Sequence, residues 1–168
     1  MSRLAPTRLH DEHVVLEPLG LDHVPALEAA AADGELWNLW FTSAPAPGQA
    51  RAYVEKALQS QANGVALPFA VREQRSGAIA GTTRLYDFQP ELPRVAIGYT
   101  WYAKRCQRTH VNTTCKLLML THAFDALGCH VVGWRTDNFN HASQRAIERL
   151  GARKDGVILN LHGDGGGL

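Results

Sequence analysis

The chain has 168 residues, of which 45% are hydrophobic and 20% are charged, and its formal net charge is +1 at pH 7. These values exclude a disordered chain and predict one folded domain, residues 1–168, with its own hydrophobic core. A net charge near zero argues against nucleic acid and against a membrane surface as partners. Three cysteines without a Cys-x-x-Cys pair argue against a disulfide framework and a zinc site.

Hydropathy along the chain favours a soluble protein. The first residues lack the apolar core of a secretory signal, and no run of about 18 apolar residues occurs. We therefore expect a cytoplasmic location. Residues 163–168 are mostly glycine, and we expect them to form a disordered tail.

The first third of the chain predicts one strand followed by two helices. Residues 13–18 alternate as a strand that Pro18 ends, and residues 22–34 have the spacing of a short helix. An aromatic segment, residues 37–41, and a proline-rich break precede a second helix with an apolar face. The aromatic segment and this helix either line a substrate cleft or belong to the core.

The period then changes from helical to strand-like. Three strands are predicted in succession, at residues 69–71, 78–88 and 94–101. Their short connections predict an antiparallel meander. Gly98, inside the third of these strands, indicates a bulge or a close backbone approach.

A long helix follows this meander and extends to Gly128. Its predicted core face is the set Leu117, Leu120, Phe124 and Leu127, which recur at helical spacing. A strand at residues 131–136, a helix closed by Gly151 and a strand at residues 157–161 complete the chain. The predicted order is β-α-α-β-β-β-α-β-α-β, a mixed α/β sheet with helices on its faces.

A basic loop, Lys104 to Asn112, joins the last meander strand to the long helix. The first N–H groups of a helix have no intrahelical partner and carry partial positive charge, which makes them an anion site. Four cations surround this point in the sequence: Lys104, Arg105, Arg108 and Lys116. The loop therefore predicts a phosphate site. The alternative is a basic surface loop in which Asn112 or Thr113 only caps the helix.

Three passages resemble the GCN5-related N-acetyltransferase (GNAT) superfamily, and within it the branch of RimJ/RimL-type ribosomal-protein and amino-acid N-acetyltransferases. Residues 96–101 are similar to the family's fourth strand, and residues 107–113 stand at the place of its pyrophosphate loop. Residues 136–143 and 146–152 resemble the Asn-x-x-Ser entry and the glycine-containing exit of its last helix. The resemblance covers nearly the whole chain.

The resemblance implies an enzyme that transfers the acetyl group of acetyl-CoA to a primary amine, with no metal. Backbone N–H groups near Tyr99 or Thr100 would polarise the thioester carbonyl, and Ser143 would protonate the departing thiolate. Asn140 would hydrogen-bond the pantetheine arm. The implied cofactor-binding residues are Ile97, Tyr99, Trp101, Gln107, Arg108, Thr109, His110, Val111, Asn112, Thr113, Lys116, Asn140 and Ser143. The residues alone also allow Asn140 to be an N-cap with Ser143 at the third helical position.

The acceptor amine must lose a proton, so a base or a water chain is required. Asp87, Glu91 and Asp137 lie near predicted strand ends and are candidates, although each also fits a solvated or capping carboxylate. Cys106 is either a reactive thiol or an ordinary loop cysteine. His10 and His13 have no third ligand nearby, so we predict no metal site.

The chain departs from the family pattern at two places. His110 and Asn112 stand where the family's phosphate loop has small residues, usually glycine, which favour left-handed backbone. Residues 163–168 cannot supply the family's seventh strand, so this strand is expected to be missing or supplied by the partner chain of a homodimer. These departures leave a non-catalytic acyl-CoA-binding module on the same fold as the alternative function.

Overall fold

Six strands form one sheet in the computed structural model, which describes residues 4–158. The chain divides into two compact units, Met1–Arg135 and Thr136–Leu168. The strands, all in the first unit, are β1 (Leu9–His10), β2 (Val14–Pro18), β3 (Ala66–Glu73), β4 (Ile79–Gln89), β5 (Arg94–Tyr102) and β6 (Val131–Trp134).

The strands lie side by side in chain order. β1 to β5 pair antiparallel, whereas β6 runs parallel to β5 because α3 crosses over between them. The predicted meander and mixed sheet are confirmed. The two-residue strand β1 was not predicted, since Leu9–His10 is too short to show an alternating pattern.

Three helices cover the two faces of this sheet: α1 (Val24–Ala32), α2 (Ala50–Ala62) and α3 (His110–Thr121). One core packs α3 against side chains such as Leu16, Phe69 and Ile97. A second core packs α1 and α2 against the other face, around Ala70 and Trp101. Because both faces are covered, β3 and the first half of β4 are buried along their length.

The predicted core face of this helix is wrong at Leu117 and Phe124, whereas it is confirmed at Leu127, which is buried, and in part at Leu120, which is half-buried against the same core. The residues that recur at the buried face are Val111, Cys115, Met119 and Ala123. Leu117 is 63% exposed and Phe124 is 44% exposed. Two stripes of this helix have apolar residues at helical spacing, and the one with smaller side chains faces the sheet, where it allows close packing.

The second unit is described from Thr136 to Ile158 and contains one helix, α4 (His141–Arg149). Its polar turn and its helix agree with the prediction. Val157 and Ile158, the first two residues of the predicted sixth strand, are not in a strand. The rest of that strand and the glycine-rich residues 163–168 lie outside the described residues.

Within residues 4–158, no helix is long and apolar enough to cross a bilayer.

Candidate active site

β5 is distorted at the residues predicted to polarise a thioester. The register with β4 shifts there, since Thr82 pairs with Trp101 whereas Arg84 pairs with Gly98. Two residues, Tyr99 and Thr100, therefore oppose Thr83, and Tyr99 adopts a left-handed φ of 51°. A tyrosine rarely adopts this conformation, and strained backbone is concentrated at functional sites. The bulge indicated by Gly98 is present, one residue further along the chain.

The pairing between β5 and β6 ends early. It extends from Arg94↔Val131 to Ile97↔Trp134, while β5 continues to Tyr102. Across the described part of the chain, no strand pairs with this edge of β5 beyond Ile97. An unpaired edge exposes backbone donors and acceptors that can bind an extended ligand as a strand would.

Three of the predicted cofactor residues have apolar side chains in the cores. Ile97 and Val111 pack in the core under α3, and Trp101 packs in the core under α1 and α2, where its Nε1 donates to Tyr53 Oη at 3.3 Å. Their side chains are therefore structural, and only their backbone groups are available to a ligand.

The loop after β5 leads directly into α3. Thr109 is the N-cap residue, and its Oγ1 accepts from Val111 N at 3.3 Å and donates to the Cys106 carbonyl at 2.6 Å. The predicted caps, Asn112 and Thr113, instead lie in the first turn. Gln107 Nε2 donates to the Tyr102 carbonyl at 3.0 Å, which holds the loop to the end of β5. No acidic residue lies in this turn, so the helix N-terminus is suited to an anion.

The left-handed residue of this loop is Arg108, with φ of 58°. His110 and Asn112 belong to the first turn of α3 and are not among the residues with positive φ. The backbone conformation at these two positions therefore does not require glycine. His110 packs its ring against His13, with 5.1 Å between the ring centroids.

Two of the four cations predicted at the N-terminus of α3 have other partners. Arg105 forms an ion pair with Asp33 at 3.3 Å and donates to the Ile79 carbonyl at 2.9 Å. Lys116 lies under the sheet rather than at the loop, contrary to the prediction. Lys104 and Arg108 remain exposed beside the helix N-terminus.

Lys116 is 4% exposed, and hydroxyl groups surround its ammonium. Its Nζ donates to Thr100 Oγ1 at 2.8 Å and to Thr83 Oγ1 at 3.3 Å. Burial lowers the pKa of Lys116 from 10.5 to about 8, because the charged form is poorly solvated there. The loop-to-helix pattern could not reveal this position, since the sequence does not show which side of α3 faces the sheet.

Sequence reasoning missed Arg84, which is buried on the opposite face of β4. Its guanidinium carbon lies 4.2 Å from the ring centroid of Tyr99 and 5.3 Å from that of Tyr53. Tyr86 packs edge-on against Tyr99, with 5.2 Å between centroids. We call Tyr53, Tyr86 and Tyr99 the tyrosine cage. The signal in the sequence was an arginine in the middle of a predicted strand. A charged side chain at such a position is rarely buried without a function or a partner.

The predicted acid–base candidates either have structural partners or lie exposed. Asp87 binds two guanidinium groups, Arg135 at 3.0 Å and Arg94 at 3.5 Å. Asp137 accepts from the Phe139 N–H at 2.8 Å, as a turn carboxylate does. Glu91 is exposed in the turn between β4 and β5. None of the three is therefore marked as a base by its surroundings.

The thiols and histidines show no reactive arrangement within the part of the chain that the structure describes. Cys106 is buried, and burial raises the pKa of its thiol, which favours the unreactive protonated form. No group of three or more His, Cys, Asp or Glu side chains within residues 4–158 could hold a metal ion.

In the second unit, Asn140 is the N-cap of α4. Its Oδ1 accepts from Ser143 N at 3.1 Å, so the capping role considered for this pair is present. This bond occupies one oxygen of Asn140 and the backbone of Ser143, which leaves the Asn140 amide nitrogen and the Ser143 hydroxyl for other contacts.

The first unit thus combines a strand edge open to an extended ligand with a loop and helix N-terminus suited to an anion. A family model described as an acetyltransferase (GNAT) domain matches residues 13–153. The chain therefore belongs to the GNAT acetyltransferase family, and acetyl transfer is its class of reaction.

Solved structures agree with this assignment. A T. thermophilus protein assigned as an acetyltransferase is 31% identical, with 95% of this chain and 82% of that one covered at a TM-score of 0.81. A GCN5-related N-acetyltransferase from Brucella melitensis is 26% identical, with 96% and 76% covered at 0.78. Mycobacterium smegmatis RimJ in complex with CoA-disulfide is 19% identical, with 96% and 82% covered at 0.79, which shows a shared fold. A comparison with curated proteins gave no significant match.

Proposed function

We propose that this acetyltransferase uses acetyl-CoA and transfers its acetyl group to a primary amine by direct attack in a ternary complex. The acceptor is an amino acid, a small amine or a protein N-terminus. The observation that carries the proposal is the free edge of β5 beyond Ile97, next to the N-terminus of α3. An elongated ligand with a pyrophosphate at one end fits these two features together.

The residues present fit this ligand. First-turn N–H groups of α3 at His110, Asn112 and Thr113 would bind the pyrophosphate, and exposed Lys104 and Arg108 would add charge. Thr109 and Gln107 would act by holding the loop in place, since their side chains already bond within it. The left-handed residue of this loop is Arg108, so the backbone does not require glycine at His110 or Asn112. This conformation supports phosphate binding although both positions carry side chains.

Acetyl-CoA would supply the acetyl group, which leaves sulfur for the amine nitrogen as the C–N bond forms and the C–S bond breaks. The bulge at Tyr99 and Thr100 would direct a backbone N–H at the thioester carbonyl oxygen, where negative charge develops. Ser143 would give a proton to the thiolate, and Asn140 would hydrogen-bond the pantetheine arm. The roles of Asn140 and Ser143 rest on the resemblance alone.

The amine proton would leave through water. Asp87, Asp137 and Glu91 do not have the surroundings of a tuned base. Binding of both reactants in one complex would still provide much of the rate acceleration, because it removes most of the entropic cost of a bimolecular step.

The second candidate is a non-catalytic acyl-CoA-binding module on the same fold. The side chains of His110 and Asn112 favour it, since each occupies space in the first turn of α3 that a glycine would leave to phosphate. Such a module would bind acetyl-CoA without releasing free thiol when amines are added.

The test measures free-thiol release from acetyl-CoA with and without a panel of amines. We expect amine-dependent release in the wild-type protein, and a several-fold lower kcat with little change in KM for acetyl-CoA in Ser143→Ala. Asn140→Ser retains an N-cap while removing the amide, so its KM for acetyl-CoA should rise. Ser60→Ala is the matched control, since this helical serine of α2 donates its hydroxyl to the Lys56 carbonyl, away from the site. Binding without amine-dependent release would favour the second candidate.

The RimJ/RimL-type branch, a homodimer and a cytoplasmic location are further parts of this proposal. The shared fold with RimJ supports the first of them. Equilibrium sedimentation would test the second. The absence of nucleic acid and membrane partners is likewise a prediction.

A further inference from the structure

Arg84 is the feature of the first unit that the proposed reaction does not use. It lies in the middle of β4 and is 6% exposed. Tyr53 and Tyr99 cover its guanidinium group. Stacking on aromatic rings uses the flat faces of a guanidinium and leaves its N–H donors, which lie in its plane, available to an acceptor.

Arg84 Nε is buried and has no hydrogen-bond partner within residues 4–158. Three other arginines of the same unit illustrate the usual arrangement, in which a carboxylate is the partner. Arg72 pairs with Glu17, Arg105 with Asp33, and Arg135 with Asp87. A buried cation without an anion or a hydrogen-bond acceptor is costly, so its presence in a central strand calls for a partner.

The tyrosine cage cannot be that partner. Tyr53 Oη is bonded to Thr82 Oγ1 at 2.8 Å and accepts from Trp101 Nε1. Burial raises the pKa of the Tyr86 phenol, with smaller contributions from neighbouring groups, so Tyr86 is neutral near pH 7. The cage therefore provides aromatic walls and no negative charge.

We propose that Arg84 binds a carboxylate on the acceptor, so that the acceptor is an amine that also carries a carboxylate group. That the bound molecule is the acetyl acceptor rests on the proposed function. That Arg84 binds a carboxylate does not depend on it. A planar carboxylate matches the in-plane donors of one guanidinium, with two parallel N–H···O bonds. A phosphate can form the same bidentate pair with a guanidinium, so the binding test includes inorganic phosphate as the competing probe.

The location suits an acceptor. Tyr99 is both a wall of the cage and the left-handed residue of the β5 bulge, so a carboxylate at Arg84 would hold its amine beside the strand edge proposed for the thioester. Tyr99 is 47% exposed and forms the side of the cage that faces solvent. An exposed tyrosine ring changes rotamer within nanoseconds, which gives a ligand access to the buried donors.

The binding test needs no turnover. The N–H signal of Arg84 Nε is recorded by proton–nitrogen NMR, assigned as the peak lost in Arg84→Met, and followed during titration with amino acids, with their α-amides and with inorganic phosphate. We expect it to shift with an amine carboxylate and to stay unchanged with the matched amide. A shift with phosphate alone, or with none of these probes, overturns the carboxylate site.

The kinetic test distinguishes the two sources of a carboxylate. Acceptors are compared as pairs: free amino acids against their α-amides, and short peptides with Asp or Glu against Asn or Gln. In the preferred class, loss of the carboxylate should lower kcat/KM by about 10- to 100-fold, the range for a charged hydrogen-bond pair. In Arg84→Met the two members of each pair should react equally, and Arg84→Lys should recover only part of the preference.

The control is Arg75→Met, which removes the same charge from an exposed turn and should retain the preference. Circular dichroism verifies that each variant is folded. A wild-type protein that does not distinguish the pairs, or an Arg84→Met variant that still does, overturns the inference. If no amine releases thiol while the Arg84 signal responds to carboxylates, the proposed function fails and the anion site stands.

Discussion

Two buried cations lie on opposite faces of the same two strands, and they differ in how their charge is accommodated. Lys116 lies under α3 against Thr83 and Thr100, whereas Arg84, the next residue of β4 after Thr83, lies within the tyrosine cage on the other face. Lys116 has two hydroxyl acceptors and a pKa lowered to about 8 by burial, so it can release its proton. An arginine stays charged, and Arg84 Nε has no acceptor within residues 4–158.

Lys116 is therefore a structural cation, whereas Arg84 requires a ligand. Around Lys116 the polar atoms bond to one another, with 2.8 Å between the hydroxyl oxygens of Thr83 and Thr100. Within residues 4–158, the Lys116 ammonium and both hydroxyl groups each have hydrogen-bond partners. Around Arg84 the Tyr53 hydroxyl is bonded to Thr82 and Trp101, and Arg84 Nε has no hydrogen-bond partner within residues 4–158. We therefore expect substitutions of Lys116 to change stability and substitutions of Arg84 to change acceptor binding.

The largest expected effect is a pH dependence of stability that originates at Lys116. Its pKa is about 8 in the folded protein against 10.5 in its ordinary state. Below pH 8 the folded state holds a poorly solvated charge, and above pH 10.5 the amine is neutral in both states. The free energy of unfolding should therefore rise between these values, by up to roughly 3 kcal/mol at 1.36 kcal/mol per pKa unit.

Urea unfolding from pH 7 to pH 10.5 measures this rise, with Lys116→Met as the reference variant. The variant should lack the component that comes from Lys116, while other groups titrate equally in both proteins. Equal pH dependence in the two proteins would show that Lys116 is not buried as a cation.

A smaller effect is expected from the hydroxyl acceptors. Thr100→Val removes the 2.8 Å partner of the Lys116 ammonium and should lower the free energy of unfolding by about 1–2 kcal/mol at pH 7. In a Lys116→Met background the same change should cost clearly less, because no charge is left unpaired. A double-mutant cycle with the two single variants measures the interaction free energy between Thr100 and Lys116. A value of zero would contradict the proposed network.

The smallest expected effect on stability is that of Arg84→Met, within about 1 kcal/mol at pH 7. Loss of the contacts with Tyr53 and Tyr99, about 0.5–1 kcal/mol each, is offset by removal of a buried charge. Chemical denaturation against Arg75→Met measures it. A loss of several kcal/mol would make Arg84 a structural residue and weaken the contrast with Lys116.

Most of the fold could be predicted from the sequence because strands and helices have different apolar periods. The meander, the crossover helix and the order of elements followed from residues 69–101 and from the helix after them. The core face of α3 could not, since Leu117 and Phe124 form an apolar stripe as regular as the buried one. The choice between two such stripes depends on the shape of the sheet, which is set by distant residues.

The backbone features at the candidate site followed from the sequence, whereas the directions of its side chains did not. The loop into α3 and the bulge in β5 followed from local patterns around Gln107 and Gly98. Lys116 was predicted at the loop, but its side chain lies on the side of the helix that faces the sheet. Arg84 was missed because residues 53, 84, 86 and 99, which form its surroundings, are distant in the sequence. Contacts across such separations are set by tertiary packing.

The most direct test of the account is calorimetric titration of acetyl-CoA into the wild-type protein and into Arg84→Met, with CoA as the comparison ligand. The account predicts binding in the micromolar range that is equal in the two proteins, since Arg84 serves the acceptor and the loop of α3 serves acetyl-CoA. No binding to the wild-type protein would contradict the acetyl-CoA site. Binding that is lost in Arg84→Met would show that this arginine holds acetyl-CoA itself and would contradict the assignment of the tyrosine cage to the acceptor.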